Sequence, residues 1–188
     1  MEIVISQAYR DSLVPLPEDI LKDMNIPEEP HRFLTETGLP LHTRYEITPN
    51  APITFFDKPY IKKHAHFQNT FLYFASMDVM GLVAMDVKNL AVFQMQIGER
   101  DRWGEVPEIP VLMNDGIRQF VDCLGLWLSF YPQLRAEAAQ RLEVDPNFSL
   151  FDHEELYKPI LAKLKEADPF AMRQRNFFWR RICQPDIL

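Results

Sequence analysis

The sequence predicts an α+β fold in which an antiparallel meander is flanked by N-terminal and C-terminal helices. Three observations favour this class: short helical signals come first, three apolar strand-like runs separated by turns follow, and long amphipathic helices come last. Helices and strands that are segregated along a chain, rather than alternating, are typical of α+β domains. At 188 residues, the chain is most simply one domain spanning 1–188, long enough to bury a stable core.

Two short helices are predicted near the N-terminus. Residues 17–24 begin with a proline, carry acids in the first turn and place their apolar residues on one side, as the start of a helix does. A second helix ends within Phe33-Leu34-Thr35-Glu36-Thr37-Gly38-Leu39-Pro40. Gly38 suits the left-handed residue that closes many helices, and Leu39 would fold back on Leu34. This segment therefore predicts a helix stop.

The middle of the chain predicts strands. Residues 41–69 hold three prolines and only fragments with strand character, at Ile53–Phe56 and Tyr60–Phe67. Three apolar runs rich in aromatic and β-branched residues then follow, at 70–75, 81–86 and 90–95, and such runs with turn-like breaks are typical of an antiparallel meander. Because they are nearly continuous rather than alternating, we expect a sheet largely covered by other elements.

The C-terminal half predicts helices. A long helix begins after Asn114 or Asp115, which can cap it, and its apolar residues recur at helical spacing, namely Ile117, Phe120, Val121, Leu124, Leu128 and Tyr131. This stripe indicates the central core helix. We expect a second helix near 133–142 and a third near 154–166, the latter interrupted or entered at Pro159. Residues 177–179, Phe-Phe-Trp, are expected to pack back onto the body.

Composition and charge exclude several classes. The chain is 47% hydrophobic with a net charge of −7, which indicates a globular protein with an acidic body that repels nucleic acid. No apolar run approaches the roughly 20 residues of a membrane span, and the first residues lack the features of a signal peptide. Two cysteines form no disulfide framework. These observations predict a cytoplasmic protein with neither membrane nor nucleic-acid partner.

Few side chains suggest chemistry. His64 and His66 would share one face of a strand, as metal ligands require, but Lys62 and Lys63 beside them disfavour a cation, so we expect a solvated strand face. Cys123 lies in the apolar helix stripe and is expected to be a core residue, whereas the position of Cys183 near the end suggests exposure. The sequence contains no nucleotide-binding, hydrolase or metalloprotease motif. We therefore predict no catalytic residue, metal or cofactor.

One loop stands out as a candidate contact surface. Between residues 98 and 105, charged residues surround a single tryptophan. A large aromatic anchor within a polar rim is the composition of a binding hot spot, so we predict partner-binding roles for Glu99, Asp101, Trp103 and Glu105. The alternative is that Trp103 tucks under the loop and fixes it to the sheet.

Four short motifs follow one another along the chain: the helix end at 33–40, the hairpin at 81–95 with Asp86 at the close of its first strand, the strand, Asn and helix at 111–124, and Asp168-Pro169 followed by Phe178-Trp179. In this order they resemble the SUKH superfamily of bacterial toxin-immunity proteins, most closely the branch whose first helix ends in FL…GLP. That family has paired strands of which an Asp often closes the first, then a strand, an Asn and an FxxCL helix, and a DP…W ending. The hairpin turn lacks the usual glycine, and Asp115-Gly116 replaces the small hydroxyl residues common after the Asn.

The resemblance implies a SUKH (Knr-like) α+β domain that binds a cognate toxin, often a nuclease or deaminase, and blocks it stoichiometrically without catalysis. The acidic body would suit a basic toxin, since complementary charge speeds encounter. The alternative is a regulatory or scaffolding interaction domain of the same fold without a toxin partner. An enzyme would need His64, His66 and a carboxylate in one pocket. The identity of the toxin and the oligomeric state stay open.

Overall fold

The structure is a computed structural model that describes residues 3–22, 24–48, 51–64, 68–98, 108–150 and 153–183. Three short helices come first, α1 (Gln7–Asp11), α2 (Glu18–Leu21) and α3 (Glu28–Glu36). Ser6 caps α1 by accepting the backbone N–H of Tyr9 at 3.2 Å, whereas α2 and α3 follow prolines and begin with two acids each. The predicted N-terminal helices are thus confirmed, and α1 is an addition.

Six strands follow and form one antiparallel sheet in sequence order, β1-β2-β3-β4-β5-β6. Their bounds are β1 (Arg44–Thr48), β2 (Ala51–Lys63), β3 (Thr70–Ser76), β4 (Leu82–Asp86), β5 (Val92–Ile97) and β6 (Glu108–Asn114). The predicted meander is confirmed as β3, β4 and β5. Of the fragments before it, Ile53–Phe56 and residues 60–63 lie in the long strand β2, and residues 65–67 lie outside the described residues. The fold is α+β, as the sequence predicts.

Three helices complete the fold, α4 (Ile117–Val144), α5 (Lys158–Ala167) and α6 (Phe178–Cys183). The helix predicted separately near 133–142 is wrong as a separate element, because α4 continues through Pro132. A proline inside a helix costs about 3 kcal/mol. Phe130, Tyr131 and Leu134 on both sides of it are buried, and burying each such side chain contributes roughly 2 kcal/mol. Continuous packing therefore outweighs the local penalty.

The main core lies between α4 and one face of the sheet. The ring of Phe120 packs 5.4 Å from that of Phe74 on β3 and 6.4 Å from that of Phe55 on β2. Trp127 ties α4 to β1, since its indole N–H donates to the Ile47 carbonyl at 2.8 Å. The central helix predicted from the apolar stripe is thus confirmed.

Helix α1 packs on α4 at Gly125, the position where α4 carries no side chain. A Cβ at Gly125 would lie 2.7 Å from the Tyr9 ring, and the Tyr9 hydroxyl donates to the Val121 carbonyl at 2.9 Å. The close approach needs a glycine, and the hydrogen bond satisfies the buried phenol.

Part of the other face of the sheet is also buried, where the sheet is curved. Lys62 on β2 places its Nζ 3.1 Å from Glu108 Oε1 on β6, although three strands lie between them. Strands lie about 4.8 Å apart, so in a flat sheet these backbones would be roughly 19 Å apart, beyond the reach of both side chains. The sheet must curl, which encloses a second apolar cluster of Phe71, Tyr73, Ala84 and Met95.

Candidate functional site

Three residues from the motifs that resemble the SUKH superfamily, Asn114, Asp168 and Trp179, meet in one buried polar network. Asn114 lies at the end of β6, Asp168 follows α5, and Trp179 lies in α6. Asn114 Nδ2 donates to Asp168 Oδ2 at 2.9 Å, and Trp179 Nε1 donates to Asn114 Oδ1 at 2.8 Å. All three side chains are buried, so this network joins the sheet to the C-terminal segment.

The Asp168 carboxylate also accepts two backbone N–H groups. Asp115 N donates to Oδ2 and Ala171 N donates to Oδ1, each at 2.9 Å. A buried carboxylate is costly unless its oxygens are hydrogen-bonded, and three donors here satisfy that demand. The Asn and Asp-Pro motifs therefore have a structural role in this network. Both oxygens of the Asp168 carboxylate are occupied by internal donors and do not serve a reaction.

Cys123 lies beside Asn114 in the same region of the core. It is fully buried, and burial raises the pKa of its thiol although a hydrogen bond with Asn114 acts in the opposite direction. A thiol that stays protonated is a poor nucleophile, so the core role predicted for Cys123 is confirmed. Cys183 is buried as well, and burial raises the pKa of its thiol too. The predicted exposure of Cys183 is therefore wrong, because α6 turns it into the core.

The Phe33–Pro40 segment is a helix stop with a second constraint. The backbone N–H groups of Thr37 and Gly38 both donate to the Phe33 carbonyl at 2.9 Å, and Gly38 has φ 81°. Leu39 does not simply fold back; it forms a β-bridge with Val14. That bridge brings the Val14 carbonyl so close that a Cβ on Gly38 would lie 1.8 Å from its oxygen. Both conformation and contact require glycine here.

A separate cluster of polar side chains crosses the curled face of the sheet. Glu108 accepts the Tyr73 hydroxyl at 2.9 Å on Oε2 and the Lys62 ammonium at 3.1 Å on Oε1. His64 Nε2 lies 3.4 Å from Glu108 Oε2, and its ring meets Phe71 edge-on at 5.9 Å. We call Lys62, His64, Tyr73 and Glu108 the Glu108 cluster. It links β2 and β3 to the first residue of β6.

The protonation states of this cluster suit its hydrogen bonds. Burial alone would raise the pKa of Glu108, but the hydrogen bonds from Tyr73 and Lys62, with the nearby His64, lower it overall. Burial and the bond to Glu108 raise the pKa of Tyr73. At neutral pH a carboxylate therefore accepts from a neutral phenol and an ammonium, which is a stable arrangement rather than a reactive one.

The prediction that His64 and His66 lie on a solvated strand face is wrong for His64. His64 is buried, with 3% of its surface exposed, because the curl of the sheet brings Glu108 and Phe71 over it. His66 lies outside the described residues. Across the parts of the chain that the structure describes, no group of three or more His, Cys, Asp or Glu side chains could hold a metal ion.

The predicted contact residues Glu99, Asp101, Trp103 and Glu105 lie outside the described residues. The strands on both sides are placed: β5 ends at Ile97 and β6 begins at Glu108. Glu108 is held by the Glu108 cluster, so the residue that follows this stretch has a fixed position. Sequence reasoning missed that cluster, because its members are separated by up to 46 positions and no local pattern joins them.

Among the described helices, none combines the length and the apolar character needed to cross a membrane. No significant match was found among curated proteins or among solved structures. The sequence model of the SUKH-4 immunity protein family, by contrast, matches residues 7–184.

This match covers nearly the whole chain and includes all four marks that suggested the resemblance. Two of the marks meet in the structure, because Asn114 is hydrogen-bonded to both Asp168 and Trp179, whereas Gly38 closes α3 beside the backbone of Val14. The chain belongs to the SUKH-4 immunity protein family.

Proposed function

We propose that the protein binds one cognate toxin, of nuclease or deaminase type, in a stoichiometric complex and thereby blocks it. Membership of an immunity family over residues 7–184 carries this proposal, because that membership implies toxin immunity and such proteins are typically non-catalytic. The chemistry of the described residues supports binding rather than catalysis. Cys123 and Cys183 are buried with raised pKa values, and the Asp168 carboxylate is occupied by three internal donors.

The charge distribution supports a basic toxin. Helices α2 and α3 each begin with two acids, Glu18 and Asp19, and Glu28 and Glu29, and all four side chains are exposed. Acids at helix starts stabilise the helix dipole, and they also add negative charge to the surface, although Glu29 pairs with Arg118 and Glu18 lies 3.5 Å from His31. An acidic surface steers a basic partner and raises its association rate.

The contact residues that we propose are Glu99, Asp101, Trp103 and Glu105. Trp103 would supply the buried anchor of the interface, and the three acids would supply a rim that pairs with a basic toxin. The support is the composition of this segment; the first described residue after it, Glu108, is held by Lys62 and Tyr73.

The experiment that tests the function is co-expression with the product of the neighbouring gene. We expect the two proteins to co-purify in a fixed ratio, and we expect growth to be restored in cells that express the toxin. If the proteins neither co-purify nor restore growth, the immunity proposal fails. A regulatory or scaffolding domain would show no such rescue.

The charge argument has its own test, which is the association rate at two salt concentrations. Screening of surface charges at physiological ionic strength shortens their range to about 8 Å. We therefore expect the association rate to fall between low and physiological salt. An unchanged rate would remove electrostatic steering while leaving the immunity proposal intact.

A further inference from the structure

Within the part of the chain that the structure describes, the C-terminal half of β2 is an open sheet edge. Strand β1 pairs with β2 only between residues 51 and 54, whereas Tyr60–Lys63 pair with β3 on their other side. Among the described strands, none pairs with Tyr60–Lys63 on the side away from β3. An open edge presents backbone N–H and C=O groups to which another extended segment can add.

Two large apolar side chains are exposed on this edge. Tyr60 is 42% exposed and Ile61 is 41% exposed. The Tyr60 ring is held in place by stacking, with its centroid 5.2 Å from that of Tyr73 at an interplanar angle of 5° and 5.8 Å from that of Phe56. A rigid, half-exposed tyrosine loses little conformational entropy on binding, which is typical of binding hot spots.

The charge of the edge indicates what it binds. Lys58, Lys62 and Lys63 lie on it and are exposed, in contrast to the acidic chain as a whole. Lys62 pairs with Glu108, but neither Lys58 nor Lys63 forms an ion pair with any described residue. Lysines commonly protect sheet edges from aggregation. That role explains the lysines, but it does not explain why Tyr60 and Ile61 are exposed between them.

We propose that the Tyr60–Lys63 edge binds an extended segment of the toxin in which apolar and acidic side chains occur together, added to the sheet as a further strand. The inference rests on the proposed immunity function and names one surface for it. A toxin that is basic as a whole is compatible with this proposal, since only the bound segment needs to be acidic.

A second copy of the chain is a poor occupant of the same edge. Antiparallel self-pairing centred on Tyr60 and Ile61 would place Lys58 of each copy opposite Lys63 of the other. Like charges directly opposite one another in a sheet are destabilising. An acidic segment, by contrast, pairs with the same two lysines.

The first test measures toxin affinity with Tyr60→Ala and Tyr60→Phe. We expect Tyr60→Ala to weaken binding at least tenfold, as removal of a hot-spot aromatic does, and Tyr60→Phe to bind like the wild type because it keeps the stacked ring. A charge-reversal variant, Lys58→Glu/Lys63→Glu, should also weaken binding and cannot disturb the core. Its matched control is Lys158→Glu/Lys165→Glu, the same charge change at exposed sites on α5, which should bind like the wild type.

The second test is hydrogen exchange of the wild-type complex, in which the backbone amides of Tyr60–Lys63 that face away from β3 should become protected. Unchanged exchange there, or equal affinity for wild type, Tyr60→Ala and the Lys58/Lys63 variant, overturns this inference but leaves the immunity function standing. A concentration-dependent dimer that Tyr60→Ala abolishes would assign the edge to a second copy instead. If the wild type binds no toxin at all, the immunity function fails and this inference fails with it.

Discussion

Substitution of Asp168 should destabilise the protein strongly, because its buried carboxylate joins the end of β6 to the C-terminal segment. Its carboxylate accepts Asn114 Nδ2, Asp115 N and Ala171 N, each at 2.9 Å, and the side chain is 1% exposed. Asp168→Ala removes all three acceptor contacts at once. A buried donor left without a partner costs about 1–3 kcal/mol.

The magnitude follows from those three donors. Water that enters the space left by the carboxylate would satisfy some of them, so we expect a loss of about 4 kcal/mol rather than the full sum. Asp168→Asn keeps one acceptor oxygen and turns an NH₂ group toward a donor, so about 2 kcal/mol is expected. The free energy of unfolding of a domain is about 5–15 kcal/mol, so both losses are a large share of it.

The assay is urea unfolding followed by tryptophan fluorescence, which reports on Trp179 in the same network. The control is Asp115→Asn, an exposed neighbour whose side chain takes no part in the network, and its change should stay within about 0.5 kcal/mol. The expected order of destabilisation is Asp168→Ala, then Asp168→Asn, then the control. If Asp168→Ala costs no more than the control, the reasoning about the network is refuted.

Three further predictions concern other parts of the fold. Gly38→Ala should lower the free energy of unfolding by about 2–3 kcal/mol, because φ is 81° and an added Cβ would meet the backbone. The control is Gly116→Ala, which should cost under about 1 kcal/mol because the Cβ there meets only the end of a flexible side chain. Equal costs for the two variants would refute the argument. The pKa of Glu108 is lowered in the folded state, so its contribution is present above the unfolded pKa and is lost as pH falls through the folded pKa. Glu108→Gln should therefore lose less stability than the wild type below pH 4.5, and identical acid profiles would contradict the shift. Neither Cys123 nor Cys183 should react with a thiol reagent at neutral pH until denaturant is added, because burial raises both pKa values; rapid labelling of the native protein would show that one of them is accessible.

Much of the fold could be read from local patterns. The stop at Gly38, the apolar stripe of α4 and the runs that become β3, β4 and β5 each depend on neighbours within a few residues. Their physical causes, backbone sterics and hydrophobic periodicity, act locally, so a sequence reveals them. The position of Pro132 misled the prediction, because its penalty is local whereas the packing that overcomes it is not.

The candidate surfaces were predicted less completely. The edge of β2 was not recognised, since the exposure of Tyr60 and Ile61 depends on where β1 stops pairing. His64 was expected in solvent and is buried, because a residue from another strand covers it. The proposed contacts Glu99, Asp101, Trp103 and Glu105 stay a prediction from composition.

The order of four motifs along the chain was enough to indicate the family, and local patterns were enough to indicate the fold class and most helix ends. What the signature residues do follows from tertiary packing. Asn114 and Asp168 are 54 positions apart and meet in one buried hydrogen bond, and Lys62 meets Glu108 only because the sheet curls. Contacts of that kind depend on how a sheet bends and how helices pack on it, which no local pattern in the chain encodes.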